Sequence, residues 1–117
     1  MTRHRRLTHV LTAVVVGIGA AVSASAVAHA DRDTDFAAQL HTYGIYGPKD
    51  YNAWLGKIVC QRMDDKVDHT AYQSATFLSV NLNRHYSTEQ SWRFLGTAID
   101  YYCPDKRPVL EQVAAQH

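Results

Sequence analysis

Residues 87–104, STEQSWRFLGTAIDYYCP, carry a helix start signal, an apolar stripe and a covalent anchor in one run. Ser87 and Gln90 have the spacing of a capping box, in which the serine hydroxyl accepts from an orphan amide and the glutamine reaches back. Trp92, Leu95, Ile99 and Tyr102 then recur at helical spacing, so one face is apolar over almost three turns. Trp92, which opens that face, is expected to be a core anchor. Cys103 stands at the end of the stripe, and Pro104 ends the helix because its ring removes a donor and clashes with the preceding turn. The only other cysteine is Cys60. A bond between the two would tie a second helix to this one, and no other feature restricts the fold as much.

The first thirty residues read as a leader and are set apart from the fold. Arg3, Arg5 and Arg6 form a basic start, residues 10–22 are uncharged and apolar, and Ala28-His29-Ala30 places small residues where a signal peptidase reads them. A membrane-spanning anchor is the rival, but the apolar run falls short of the roughly 20 residues a bilayer core needs. Cleavage after Ala30 is therefore expected, with Asp31 as the new amino terminus, no lasting membrane anchor, and a secreted or cell-envelope location. Arg5-Arg6 leaves the general secretory and twin-arginine routes both open. The organisation expected is a signal peptide (1–30), a helical disulfide-stapled domain (31–104) and a tail (105–117) that forms a short helix or stays mobile.

Charge changes with the leader. Three of the twelve Lys and Arg residues lie in it and none of the eleven acidic ones, so the formal +1 of the whole chain becomes −2 for residues 31–117. That excludes a nucleic-acid partner, whose phosphates need a basic face, and attachment to an anionic membrane by charge. A domain of this size buries a modest core, and small exported domains commonly add a covalent staple. In an oxidising compartment an even pair of cysteines reads first as a disulfide. A two-thiolate metal site or two free thiols are the alternatives.

Along the remaining chain, Asp33 or Thr34 is expected to cap a first helix in which Phe36, Leu40 and Tyr43 share a face, with Gly44 as a left-handed stop and Ile45 closing it. A second helix starting near Pro48 or Asp50 carries Tyr51, Trp54, Leu55, Ile58, Val59 and Met63 as its apolar face, with Cys60 beside them. Gly56 sits inside it at a cost of about 1 kcal/mol against alanine, which close approach by another helix would explain. Asp64-Asp65-Lys66 forms a polar turn, Asp68 caps a third helix with Val67 stapled to Tyr72, and Ala71, Ala75, Leu78 and Leu82 form its stripe. Val109, Leu110 and Val113 are the apolar residues of the tail. No β alternation of useful length occurs. The expected fold is all-α, a compact bundle of about four short helices stapled by one disulfide.

These residues carry a resemblance. The Asp35-Phe36 opening, Leu40, Gly44-Ile45, Gly56 with Cys60 four residues on, Ala98-Ile99 and Tyr102-Cys103-Pro104 together resemble the family known as domain of unknown function 732, small secreted or lipid-anchored proteins found mostly in mycobacteria and their relatives. The resemblance covers residues 35–104. It implies an exported helical domain with its two cysteines joined, and it brings no catalytic residues. Where that family often turns on a glycine after the first cysteine, this chain has Asp64-Asp65-Lys66.

No constellation carries chemistry with force. Asp64, Asp65, Asp68 and His69 offer oxygens to a hard cation, but a helix stop followed by a cap accounts for all four, and no metal site is expected. His41 with Tyr43, or His85 with Tyr86, supplies iron-ligand residue types, which makes haem the conceivable cargo of a carrier. Tyrosine at helical spacing is more commonly rim or core. No nucleophile–base pair or glycine-rich phosphate loop is present, so neither an enzyme nor a cofactor is expected. The sequence points to a secreted helical protein that engages an unknown protein partner, acting toward a host or in the cell envelope, with a haem or lipid carrier as the alternative. Its oligomeric state is not encoded in any pattern found.

Overall fold

The computed structural model describes residues 28–83 and 85–115. The chain divides into two units, Met1–Asp31 and Arg32–His117. Of the first unit only residues 28–31 are described, and they are helical. The expected signal peptide otherwise lies outside the described residues.

The second unit is all-α. Its elements are α1 (residues 32–42), α2 (Lys49–Asp64), α3 (Ala71–Asn81), α4 (Thr88–Tyr102), a 3-10 turn (Pro104–Lys106) and α5 (Arg107–Ala115). Asp33 and Thr34 do not cap α1, because the backbone is already helical before them. The stop is as expected. Gly44 takes φ +74°, its amide bonds the carbonyl of His41, and the Ile45 amide reaches back to Leu40. This is a Schellman closure, with Leu40 and Ile45 both buried.

Helix α4 opens with the expected capping box. The Ser87 hydroxyl accepts from the Gln90 amide at 3.1 Å and the Ser87 amide donates to Gln90 Oε1 at 2.9 Å. The Gln90 side chain also donates to the Tyr43 carbonyl at 3.2 Å, fastening α4 to the end of α1. The stripe, however, is rotated from the expected line. Ser91, Phe94, Leu95, Ala98 and Ile99 are buried, while Trp92 and Tyr102 are only partly covered. Trp92 is thus a rim residue, and Phe94 is the anchor. Phe94 meets Phe36 edge to face at 5.5 Å, and Phe36 also touches Tyr102 at 5.0 Å, so α1 and α4 share an aromatic seam.

Helix α2 buries Leu55, Gly56, Val59, Cys60 and Met63 and leaves Trp54 54% exposed, against expectation. Its neighbours cover one side of a wide apolar face, and Trp54 falls beyond that side, next to Tyr51. Gly56 has the reason anticipated for it: a Cβ there would stand 3.1 Å from both Phe36 Cζ and Tyr102 Cε2. Cys60 and Cys103 are joined, with sulfurs 2.06 Å apart and Cα atoms 5.9 Å apart, across a separation of 43 residues. In the chain-entropy picture a loop of that length contributes about 4 kcal/mol. Lys106 and Asp64 pair at 2.8 Å, linking the end of α2 to the turn that follows α4.

Lys66 turns the chain after α2 with φ +58°. A left-handed residue is needed where the resembled family often has glycine, and lysine occupies it at a steric cost. Helix α3 is capped by Thr70 and Gln73, a second capping box, and not by Asp68. Asp68 is drawn inward instead, and Val67 and Tyr72 stay exposed. Ala71, Ala75, Leu78 and Leu82 are buried as the stripe predicts. Val109, Leu110 and Val113 of α5 pack, partly covered, against the core. Among the described residues, no helix is long and apolar enough to cross a membrane.

Candidate functional site

Among the described residues, a broad surface groove lies along α3. Burial of Ala71, Ser74, Ala75 and Leu78 turns a second row, Tyr72, Thr76 and Val80, outward at i, i+4 and i+8. Val80 is 77% exposed, Val67 55% and Tyr72 42%. With Phe77 they edge a groove of about 550 Å³, which the ends of Arg62 and Asp68 also line.

That pair sets the groove's electrostatics. Arg62 grips Asp68 with two parallel bonds, Nε to Oδ2 and Nη2 to Oδ1, both 2.9 Å. The Ser74 hydroxyl donates to the same carboxylate at 3.1 Å, and the guanidinium lies over the Phe77 ring, 4.1 Å from its centroid. The Asp68 side chain is 3% exposed. Donating hydrogen bonds to Asp68 raises the affinity of Arg62 for its proton, against an opposing effect of burial. A bidentate pair with a third donor satisfies a carboxylate taken out of water. It also leaves the groove without an uncompensated charge.

A second hollow, of about 340 Å³, adjoins the first across Tyr72 and Thr76 and runs between α3 and α4, where Ser79, Thr88, Ser91 and Trp92 line it. The Tyr72 and Trp92 rings meet there edge to face at 5.4 Å and 87°.

The residues nominated as iron ligands do not converge on either feature. The His41 ring lies 5.0 Å from that of Tyr46. The Tyr86 hydroxyl donates to the Tyr46 carbonyl at 2.8 Å and accepts from the Tyr46 amide at 3.0 Å. Tyr46 therefore brings His41 and Tyr86 into one neighbourhood. The Tyr43 hydroxyl accepts from Gln39 at 3.0 Å, with Arg93 over its ring. His85 is exposed. The acidic run is dispersed, since Asp64 pairs with Lys106 and Asp68 with Arg62. Among the described residues, no group of three or more His, Cys, Asp or Glu side chains could hold a metal ion.

The α3 surface was not singled out from sequence. The row Tyr72, Thr76, Val80 is written there, but one of its three members is polar, and a stripe hides beside the stronger one of alanines and leucines. Asp68 reads as a cap in the sequence because its partner, Arg62, is on another element.

Comparison with known proteins adds a lineage. Residues 30–105 match the family described as protein of unknown function (DUF732). Two uncharacterized proteins of Mycobacterium tuberculosis, one from strain CDC 1551 / Oshkosh and one from strain H37Rv, are each 52% identical over 106 residues, covering 89% of this chain and 95% of theirs. No solved structure matches.

Proposed function

Because this chain belongs to the DUF732 family of proteins of unknown function, whose description names no activity, we propose that it is an exported binding domain that holds an apolar segment of a partner protein along α3. The observation that carries this is the exposed row of Val67, Tyr72 and Val80 beside a groove whose one ion pair is internally satisfied. Apolar side chains in contact with water at one place favour a partner that removes them from it. With the Arg62 charge matched by Asp68, the groove offers nothing to a strongly charged peptide. A row of uncharged side chains fits it, at a volume within the 300–1,000 Å³ typical of binding clefts. Trp54, beside Tyr51, is a further exposed aromatic side chain, and tryptophan and tyrosine are the residues that most commonly anchor interfaces.

Export is supported by the basic start, the apolar run and Ala28-His29-Ala30. The family match opens at residue 30 and the second unit at Arg32, both beside the proposed cut. The mature domain then works outside the membrane or within the cell envelope. Binding, and not catalysis, is the activity proposed, because Glu89, Asp68 and Asp100 are each paired with an arginine. Haem has less to hold it, since the Tyr43 and Tyr86 hydroxyls are engaged within the fold.

Two measurements test the reading. Amino-terminal sequencing of the exported protein should begin at Asp31; a start at Met1 refutes export by cleavage. A photo-crosslinker at position 80 should capture one discrete protein that the same group at exposed Ala38 does not. Val67→Asp should abolish the capture with an unchanged thermal melt. Equal capture from both positions, or capture that survives Val67→Asp, refutes the groove.

A further inference from the structure

We propose that the hollow between α3 and α4 is a binding site for a neutral, hydroxylated ring of the carbohydrate class. The inference stands apart from the groove: Val67 and Val80 line only the groove, and Ser79, Ser91 and Trp92 only the hollow.

The first argument is an orphaned atom. Ser91 is 2% exposed yet lines the hollow. Its hydroxyl is the one buried side-chain polar atom among the described residues without a hydrogen-bond partner. Buried hydroxyls are nearly always partnered, and one that is not invites a partner from outside the chain. Ser91 can donate and accept.

The second argument is what the neighbouring hydroxyls have left to offer. Thr76 donates its proton to the Tyr72 carbonyl at 2.9 Å, and Ser79 donates to the Thr76 carbonyl at 2.7 Å. Each oxygen is left with lone pairs only, so a ligand must bring donors to them. Polyols bring donors and acceptors together, which suits Ser91 as well.

The third argument is the pair of rings. Trp92 and Tyr72 both line the hollow and their rings stand perpendicular, so two aromatic side chains bound it at different inclinations. An aromatic face carries negative charge density and attracts the polarised C–H groups on the apolar side of a sugar ring. No Asp, Glu, Lys, Arg or His lines the hollow. An anion would find no counter-charge and a cation no carboxylate, while a purely apolar ligand would cover hydroxyls it cannot satisfy. The site therefore selects a neutral ring with one apolar side and several hydroxyls.

The test uses the purified exported protein carrying Trp54→Phe, which leaves Trp92 as the only tryptophan reporter. Methyl α-glucoside, methyl α-mannoside and methyl α-galactoside are titrated, with the free hexoses as a second arm and glucuronate as the charged control. At least one neutral sugar should shift Trp92 emission saturably. Binding of glycosides alone assigns the end of a glycan, and binding of both arms assigns a free sugar. Amide shift changes on titration should centre on Tyr72, Ser79, Ser91 and Trp92. Ser91→Ala should weaken binding at least tenfold with a melting temperature equal to or above wild type, because it removes an unsatisfied hydroxyl. Val80→Asp should leave sugar binding unchanged, so the groove and the hollow fail separately. No saturable response to any neutral sugar, equal response to glucuronate, or full binding by Ser91→Ala overturns the proposal.

Discussion

Replacing Gly56 by alanine sets two opposing effects against each other at one position. In a helix interior alanine is favoured over glycine by about 1 kcal/mol, so an unobstructed substitution would stabilise. The new Cβ, however, would stand 3.1 Å from Phe36 Cζ and from Tyr102 Cε2, and 3.3 Å from Tyr102 Cδ2. Neither ring can retreat freely. Phe36 is fully buried against Phe94, Tyr101 and Tyr102, and the Tyr102 hydroxyl donates to Asp33 at 2.8 Å. Forcing a methyl group into a packed core costs about 1–3 kcal/mol. The balance is a net loss of about 1 kcal/mol, or a melting temperature lowered by about 4–8 °C in a domain of this size. Denaturant and thermal melts of the purified protein read it directly. In a Tyr102→Ala background the same substitution should cost less, because Phe36 alone must then move. A Gly56→Ala protein stabilised by the full helix-propensity gain would refute the claim that the two rings close on this glycine.

Four further outcomes are expected. Reducing the Cys60–Cys103 bond should lower stability by up to about 4 kcal/mol, and two alkylatable thiols in the untreated protein would remove the bond from the account. Phe94→Ala should cost about 3–5 kcal/mol and Trp92→Ala clearly less, since the first is fully buried and the second is at the rim; equal denaturant midpoints for the two would contradict that ranking. Burial pushes the Asp33 carboxyl up, but hydrogen bonds from Tyr102 and Lys57 and the charges of Lys57 and Lys49 hold it below its ordinary value. A carboxylate held low stabilises the fold above its unfolded value of about 4 and loses that contribution as pH falls through its folded value, so Asp33→Asn should cost more at pH 7 than in acid; a cost independent of pH would refute the linkage. Lys66→Gly should gain about 0.5–1 kcal/mol by relieving a left-handed lysine, and a loss in the denaturant midpoint would show the turn is held by its side chain.

What the sequence by itself determined was local. The Ser87–Gln90 box, the Gly44-Ile45 stop and the Ala71–Leu82 stripe are each set by residues within a few positions of one another, whose geometry depends on helix period alone. The cysteine pairing needed no more than a count of two. Tertiary structure decided which part of each broad stripe is covered, and that depends on neighbours distant in sequence. Trp92 and Trp54 have the hydrophobicity of core residues, but α1 meets α4 along Phe94 and closes on α2 at Gly56. Asp68 had the place of a cap, yet a buried carboxylate with Arg62 and Ser74 in reach is better satisfied than one at a helix end open to water. The groove and the hollow follow from the same cause. Each is the space left where two elements pack along one line and part along the next, and no single helix encodes where they part.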